Sequence, residues 1–285
     1  MQKIVKTVPL FSHQSPKSSE IVEKLKSIVV SKLAQAQKNK NRINIEIPCL
    51  NQRVNLIKDY DSSCNAVNHF SEFLSNNAGL ALLNDHPISM NKPLITSGVL
   101  QLLQFKDSRH DPTLINQSFW HACSLVLAAT LETSFKESFN LRITHVPACS
   151  IEQGSFYAEF TTTEPLPILS IYDMESLSLV AQKLISLKLR FLPVSLDDIE
   201  AKTVLNLAEP ITYAMIGDKF AYKIPDNSPE LFANTSLFSR FSVTKLIEIE
   251  GAGKYNYRIF GVALPNAFVT HESTFEKLVH SSRQL

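Results

Sequence analysis

Ile21, Leu25, Ile28, Val29 and Leu33 recur at three-to-four spacing with lysines between them, and Ser19 stands where a cap belongs. This pattern predicts a helix over 19–41. INIEIPCL (43–50) then alternates apolar and polar residues and predicts a strand. NAVNHFSEFLSNNAG (65–79) returns to helical spacing and stops at Gly79, a residue suited to a helix C-terminus. LALLNDHPISM (80–90) reads as two short strands turning at Asn84-Asp85, and VLQLLQF (99–105) as another strand. Strand, helix, hairpin and strand in this order predict a small β-grasp-like unit.

A second unit starts at Asp111-Pro112, a capping pair that opens a long apolar helix expected over 113–138. LRITHVPA (141–148) and SFYAEFTTT (155–163) read as strands. Two amphipathic helices are expected next, over 173–191 and over 195–216, the latter capped by Ser195 with Pro210 near its end. LFSRFSVTKLIEIE (237–250) and YNYRIFGVAL (255–264) read as strands joined through GAGK (251–254), and 272–285 as a closing helix. The fold class is therefore α+β, with boundaries expected at 1–42, 43–108 and 109–285.

A chain of 285 residues can bury a sizeable core, and 19% charged residues is ordinary for a globular protein. Net charge is +1, yet up to Arg42 only Glu20 and Glu23 oppose nine basic residues. That basic extension suggests an anionic partner, nucleic acid first. The first nineteen residues hold lysines and serines but no acid, a weak likeness to a mitochondrial presequence, although arginine is absent. Cys49, Cys64, Cys123 and Cys149 form no CxxC pair, so free, mostly buried thiols in a reducing compartment are expected. No apolar run reaches the roughly 18 residues a membrane span requires.

Catalytic chemistry finds little support. GAGK is too short for a phosphate loop and is better read as a hairpin turn. Asp197 and Asp198 suit a helix's first turn, and Glu248 and Glu250 a solvated strand face. His121 is the sharper candidate, because histidines one turn apart on a helix can share a metal. Leu125 stands where the second would be, no cysteine follows Cys149, and His271 and His280 are the only later histidines. A packed, hydrogen-bonded histidine is the simpler expectation.

DHPISMNKPLITSGVLQLLQFKD (85–107) resembles the TGS domain of threonyl-tRNA synthetases, a β-grasp module. FWHACSLVLAATLETSF, SIEQGSFYAEF and IGDKF follow in the order of that family's editing-type domain. The resemblance implies a site with His-x-x-x-His on the helix and Cys-x-x-x-His after a Gly-Asp pair. Here His121 matches the first histidine, Leu125 takes the second position, Gly217 and Asp218 match the pair, and the cysteine position falls near Lys223. The last histidine would fall within DNSPE (226–230), which has none. A closer resemblance, over about residues 43–285, is to the synthetase-related family of the mitochondrial large ribosomal subunit, its protein thirty-nine, with RIFGVALPNAFVTHESTFEKLVHSSR among the matching segments.

That resemblance implies a non-catalytic structural component in the mitochondrial matrix, with no metal, no cofactor and no small-molecule substrate. Its partners would be large-subunit ribosomal RNA and neighbouring ribosomal proteins. Residues 1–42 are expected to lie against one of these. Candidate RNA contacts are Lys24, Lys32, Lys38, Lys40, Arg42, Arg53, Lys58, Arg240, Lys254 and Arg258. The alternatives are a free-standing editing deacylase, which needs an activated water, and a tRNA-binding module with the same fold.

Overall fold

The computed structural model describes residues 18–148, 151–207, 209–251 and 253–284. The first helix, α1 (Ser18–Asn39), leads into β1 (Arg42–Ile47), a 3-10 turn at Pro48–Leu50, and β2 (Gln52–Ile57). INIEIPCL thus supplies one strand of a hairpin and its turn. Pro48 lacks the N–H to extend the ladder, and Asn51 takes a left-handed φ of 50°. β2 (QRVNLI) escaped the sequence pattern because Leu56 is its one fully buried residue.

The single helix expected over 65–79 is two, α2 (Ser63–Asn68) and α3 (Glu72–Asn77). The Ser71 hydroxyl accepts from the Leu74 N–H at 3.2 Å and starts the second. Gly79 does not serve as a left-handed cap. It is needed because a Cβ there would lie 2.3 Å from the Phe232 ring. β3 (Leu80–Leu83) and β4 (His86–Ile88) turn at Asn84-Asp85 as expected, with φ of 51° and 64°. β5 (Gly98–Leu103) completes a five-stranded sheet of order β2-β1-β5-β3-β4, with β1 and β5 parallel.

α4 (Pro112–Ser134) starts where Asp111 accepts from the Thr113 N–H, with Pro112 in the first turn, and stops at Phe135. After it come β6 (Arg142–His145), β7 (Phe156–Thr162), α5 (Ile171–Ser186), β8 (Phe191–Leu196), α6 (Asp198–Leu205), β9 (Ile211–Ile216), β10 (Phe220–Ile224), β11 (Phe238–Glu248), β12 (Tyr255–Pro265) and α7 (Glu272–Gln284). One expectation holds with shifted ends here and one fails. The helix placed at 173–191 starts at Ile171 behind a Ser170–Asp173 capping box and ends before β8. The helix placed at 195–216 dissolves into the end of β8, the short α6 and β9. Ser195 is a strand residue whose hydroxyl meets that of Thr212 at 3.1 Å. Asp197 caps α6 with Glu200, and Asn206 at φ 56° ends it. ITYAMI is a buried strand, a case where a short apolar run carries no period that separates strand from helix.

β8, β9 and β10 form a three-stranded antiparallel sheet, and β11-β12-β7-β6 a four-stranded one. A continuous core runs from Ile43 of β1 to Ala263 of β12 and takes in α4 and α5. The two sequence units therefore share an interior. Polar ties add to it: Asn91 donates to the carbonyls of Phe191 and Ala233 at 2.9 and 2.7 Å, and Lys92 meets Glu230 at 3.0 Å.

A second, smaller core gathers Ile21, Val22, Leu25 and Ile28 of α1 against Val194, Leu196, Ile211, Tyr213 and Met215. The described part of the basic extension thus docks on the chain's own sheet through its apolar stripe, and its cationic face stays outside. Residues 1–17 lie outside the described residues. Of the cysteines, Cys123 is buried, Cys64 half-buried and Cys49 exposed, which corrects the expectation of mostly buried thiols; Cys149 lies outside the described residues. No described helix is long and apolar enough to cross a membrane.

Candidate functional site

α4 carries His121 into the centre of the molecule, where Ala122, Cys123, Leu125 and Leu127 are also sealed from solvent. Neither ring nitrogen meets a partner in full hydrogen-bond geometry among the described residues, and the polar group that comes to the ring is the Pro229 backbone. Burial pulls the imidazole pKa down to about 4, against a smaller upward push from the Pro229 carbonyl. His121 is therefore neutral near pH 7. Pro229 lies inside 226–230, so that segment does come to His121, but it offers a carbonyl where the resemblance implies a histidine.

The other positions do not converge. Leu125 is fully buried in the core. Lys223 is exposed, while Tyr222 and Ile224 on either side of it join the main core. Alternation along β10 thus turns Lys223 away from that core. Gly217 and Asp218 form the β9–β10 turn and line a groove of about 1210 Å³ between α1, the 59–65 and 91–95 segments, and the 187–195 segment. Among the described residues, no group of three or more His, Cys, Asp or Glu is placed to hold a metal ion. A neutral, enclosed imidazole next to one carbonyl can do little beyond filling space.

The candidate cations fall into separate places. Lys24, Lys38, Lys40 and Arg42 are exposed along and just after α1. Lys58 joins Arg42 where its N–H donates to the Asn41 carbonyl at 2.8 Å. Lys32 is taken up by Glu200 at 2.7 Å, and Arg53 by Glu46 at 3.0 Å. Arg240 lies 3.7 Å from Glu272 and 5.6 Å from the centre of the Phe275 ring, which helps hold α7 to β11. Arg258 pairs with Glu159 at 2.9 Å and stacks over Tyr157, and Lys254 lies over Tyr255. At the start of β12, Asn256 accepts from the Gly253 N–H at 3.0 Å and donates to the Gly253 carbonyl at 2.8 Å.

No family model matches the chain. A curated protein does: the large ribosomal subunit protein mL39 of Drosophila melanogaster is 28% identical over 234 residues, covering 77% of this chain and 70% of that protein. The two proteins are thus similar over most of both their lengths.

Sequence reasoning missed two cationic surfaces. The groove adds Lys92, Lys188, Arg190 and Lys219 to Lys32. The outward face of the four-stranded sheet carries Tyr157, Phe260 and Lys245 beside Arg258. The second was within reach of the sequence. In SFYAEFTTT, Tyr157 and Glu159 fall on the opposite parity from Phe156, Ala158 and Phe160, and in YNYRIFGVAL, Arg258 and Phe260 oppose Tyr257 and Ile259. The groove had no local signal, since its walls come from segments far apart in the chain.

Proposed function

We propose that this chain is a non-catalytic structural constituent of the large subunit of the mitochondrial ribosome. It contacts ribosomal RNA and neighbouring ribosomal proteins in the mitochondrial matrix. The similarity to mL39 over most of both chains carries the reading. On this reading residues 43–108 are a TGS-like β-grasp domain, supported by the hairpin, helical crossover and mixed sheet with β1 and β5 parallel. Residues 109–285 are an editing-like domain whose site has been given over to packing, and 1–42 are a basic extension.

Contact with RNA backbone asks for charge at the surface and no shaped pocket. The exposed Lys24, Lys38 and Lys40 meet that requirement without rearrangement, Arg42 would turn from Asn55, to which it donates at 3.0 Å, and Lys32, Arg53, Arg240 and Arg258 would have to exchange an acidic partner for phosphate. An editing deacylase would need a second donor beside His121 to activate water; Leu125 and the outward Lys223 deny it one. A free tRNA-binding module shares the fold and differs in partner. Sedimentation decides: in a sucrose gradient of mitochondrial lysate the chain should travel with large subunits, and a chain found wholly in the light fractions refutes the ribosomal reading.

A further inference from the structure

The four-stranded sheet has helices behind it and an outer face that is half open. At one end α7 covers that face: Val262 is fully buried, and Thr244 and Ser282 meet through their hydroxyls at 2.8 Å in a buried contact. Beyond α7, Tyr157, Arg258, Phe260 and Lys245 are half-buried and Ile247 is exposed. Tyr157 and Phe260 lie directly opposite one another on β7 and β12, the two central strands, with ring centres 5.8 Å apart. Lys245 is opposite Phe260 on the next strand and holds its ammonium 4.8 Å from that ring's centre. The Arg258 guanidinium lies 4.4 Å from the centre of Tyr157. The nearest acid on this face, Glu159, is already paired with Arg258.

Two neighbouring rings amid cations on an antiparallel sheet match what an unpaired nucleic-acid strand requires. Bases stack on aromatic faces whatever their identity, and cations follow the phosphates between them. A duplex hides its base faces and could use only the charges. Lysine and arginine have flexible stems, so Lys245 and Arg258 can move to phosphates while the rings take bases. We propose that this face is a platform for a single-stranded segment of RNA, with Tyr157 and Phe260 as the stacking pair and Lys245 and Arg258 as the phosphate partners. The inference rests on the ribosomal reading and narrows it to one surface and one conformation of RNA.

The test uses the purified full-length chain, a fluorescent mixed-sequence single-stranded RNA of ten nucleotides, and a hairpin duplex of the same composition. The single strand should bind more tightly. Tyr157→Ala and Phe260→Ala should each lower its affinity about tenfold while leaving duplex binding unchanged. Tyr157→Phe should keep wild-type affinity, which separates lost stacking from lost folding, and Lys245→Gln should flatten the salt dependence. Equal affinity for the two RNAs, with no response to ring removal, overturns the platform. A photoreactive phenylalanine analogue at position 260 supplies a second readout in assembled particles: an RNA adduct supports the proposal, and an adduct to protein alone assigns the face to a protein partner and overturns it. A chain that sediments with large subunits yet fails these tests sinks the platform and leaves the ribosomal role standing.

Discussion

α4 and α1 are nearly equal in length, 23 and 22 residues, and are buried in opposite ways. α4 is apolar around most of its circumference and lies inside the main core, packed with α5 and the four-stranded sheet. α1 is lysine-rich and lays one stripe on the outer face of the three-stranded sheet. A helix like α4 cannot leave its place without exposing the whole interior, so its stability is that of the molecule. A helix like α1 can open locally. His121 sits on a segment that the core needs for its apolar neighbours, so α4 holds its place through them and not through the imidazole.

The sharpest way to break the comparison is inside α4. Phe119 is 2% exposed and touches Phe105, Phe232 and Phe238 through ring contacts at 5.5, 5.5 and 4.8 Å. Phe119→Ala should cost about 3–5 kcal/mol, a third or more of a typical domain's stability. Denaturant unfolding should show the loss in one cooperative transition. Trp120 is the more obvious choice from sequence but is half-buried, so Trp120→Ala should cost less. If Trp120→Ala proves the worse of the two, the account of α4 is wrong.

His121 comes next. Its folded pKa of about 4 lies below the ordinary 6.5, so the fold favours the neutral ring. Above pH 6.5 both folded and unfolded chains are neutral there and the group is silent. As pH falls from about 6.5 to about 4 the unfolded chain takes up the proton first, and stability drops by up to about 3 kcal/mol before levelling off. His121→Gln removes the titration. Its stability should fall less steeply over that window than that of the natural chain, whatever the substitution costs at neutral pH. Parallel acid limbs in the two proteins would count against a buried neutral histidine.

The same contrast shows what the sequence could reveal. α1 and α4 were both legible, because long periodic or wholly apolar segments bounded by capping residues admit one reading. The five-stranded sheet was legible except for β2, whose burial is too slight to mark a period. Between 187 and 216 the reading failed. Capping by Ser170 and Asp197 and the left-handed Asn206 are local events, whereas ITYAMI becomes a strand through its pairing with β8 and β10. That position 125 is a leucine and that 226–230 holds no histidine was visible in the sequence. That Lys223 faces outward, and that Pro229 comes to His121, depend on how β10 and the segment after it cross the core.

A smaller effect is expected where α1 meets its sheet. Leu25 is fully buried in the second core. Leu25→Ala should cost about 2–3 kcal/mol, at the low end for such a truncation because this core is small and can adjust. Hydrogen exchange should show the loss concentrated in residues 18–39, with α4 and β7 nearly unaffected. Uniform loss of protection would mean that α1 and the main core unfold as one unit.

The smallest effect separates fold from function on α1 itself. Lys32 reaches across to Glu200 and also donates to the Ser195 carbonyl at 3.0 Å, whereas Lys38 is exposed and makes no ion pair among the described residues. The Lys32–Glu200 pair is half open to solvent, where such pairs contribute about 0–1 kcal/mol. Lys32→Gln should therefore lower stability by less than about 1 kcal/mol, and Lys38→Gln should not change it measurably. Their RNA behaviour should run the other way. If α1 presents its outer face to phosphate, Lys38→Gln should reduce the logarithmic salt slope of RNA binding by about one contact, while Lys32→Gln changes it little because Glu200 already holds that charge. The two variants measured side by side, by melting and by salt titration, thus assign each lysine to the scaffold or to its partner. If Lys32→Gln lowers the salt slope as much as Lys38→Gln does, the ion pair to Glu200 opens when RNA binds, and both lysines belong to the interface.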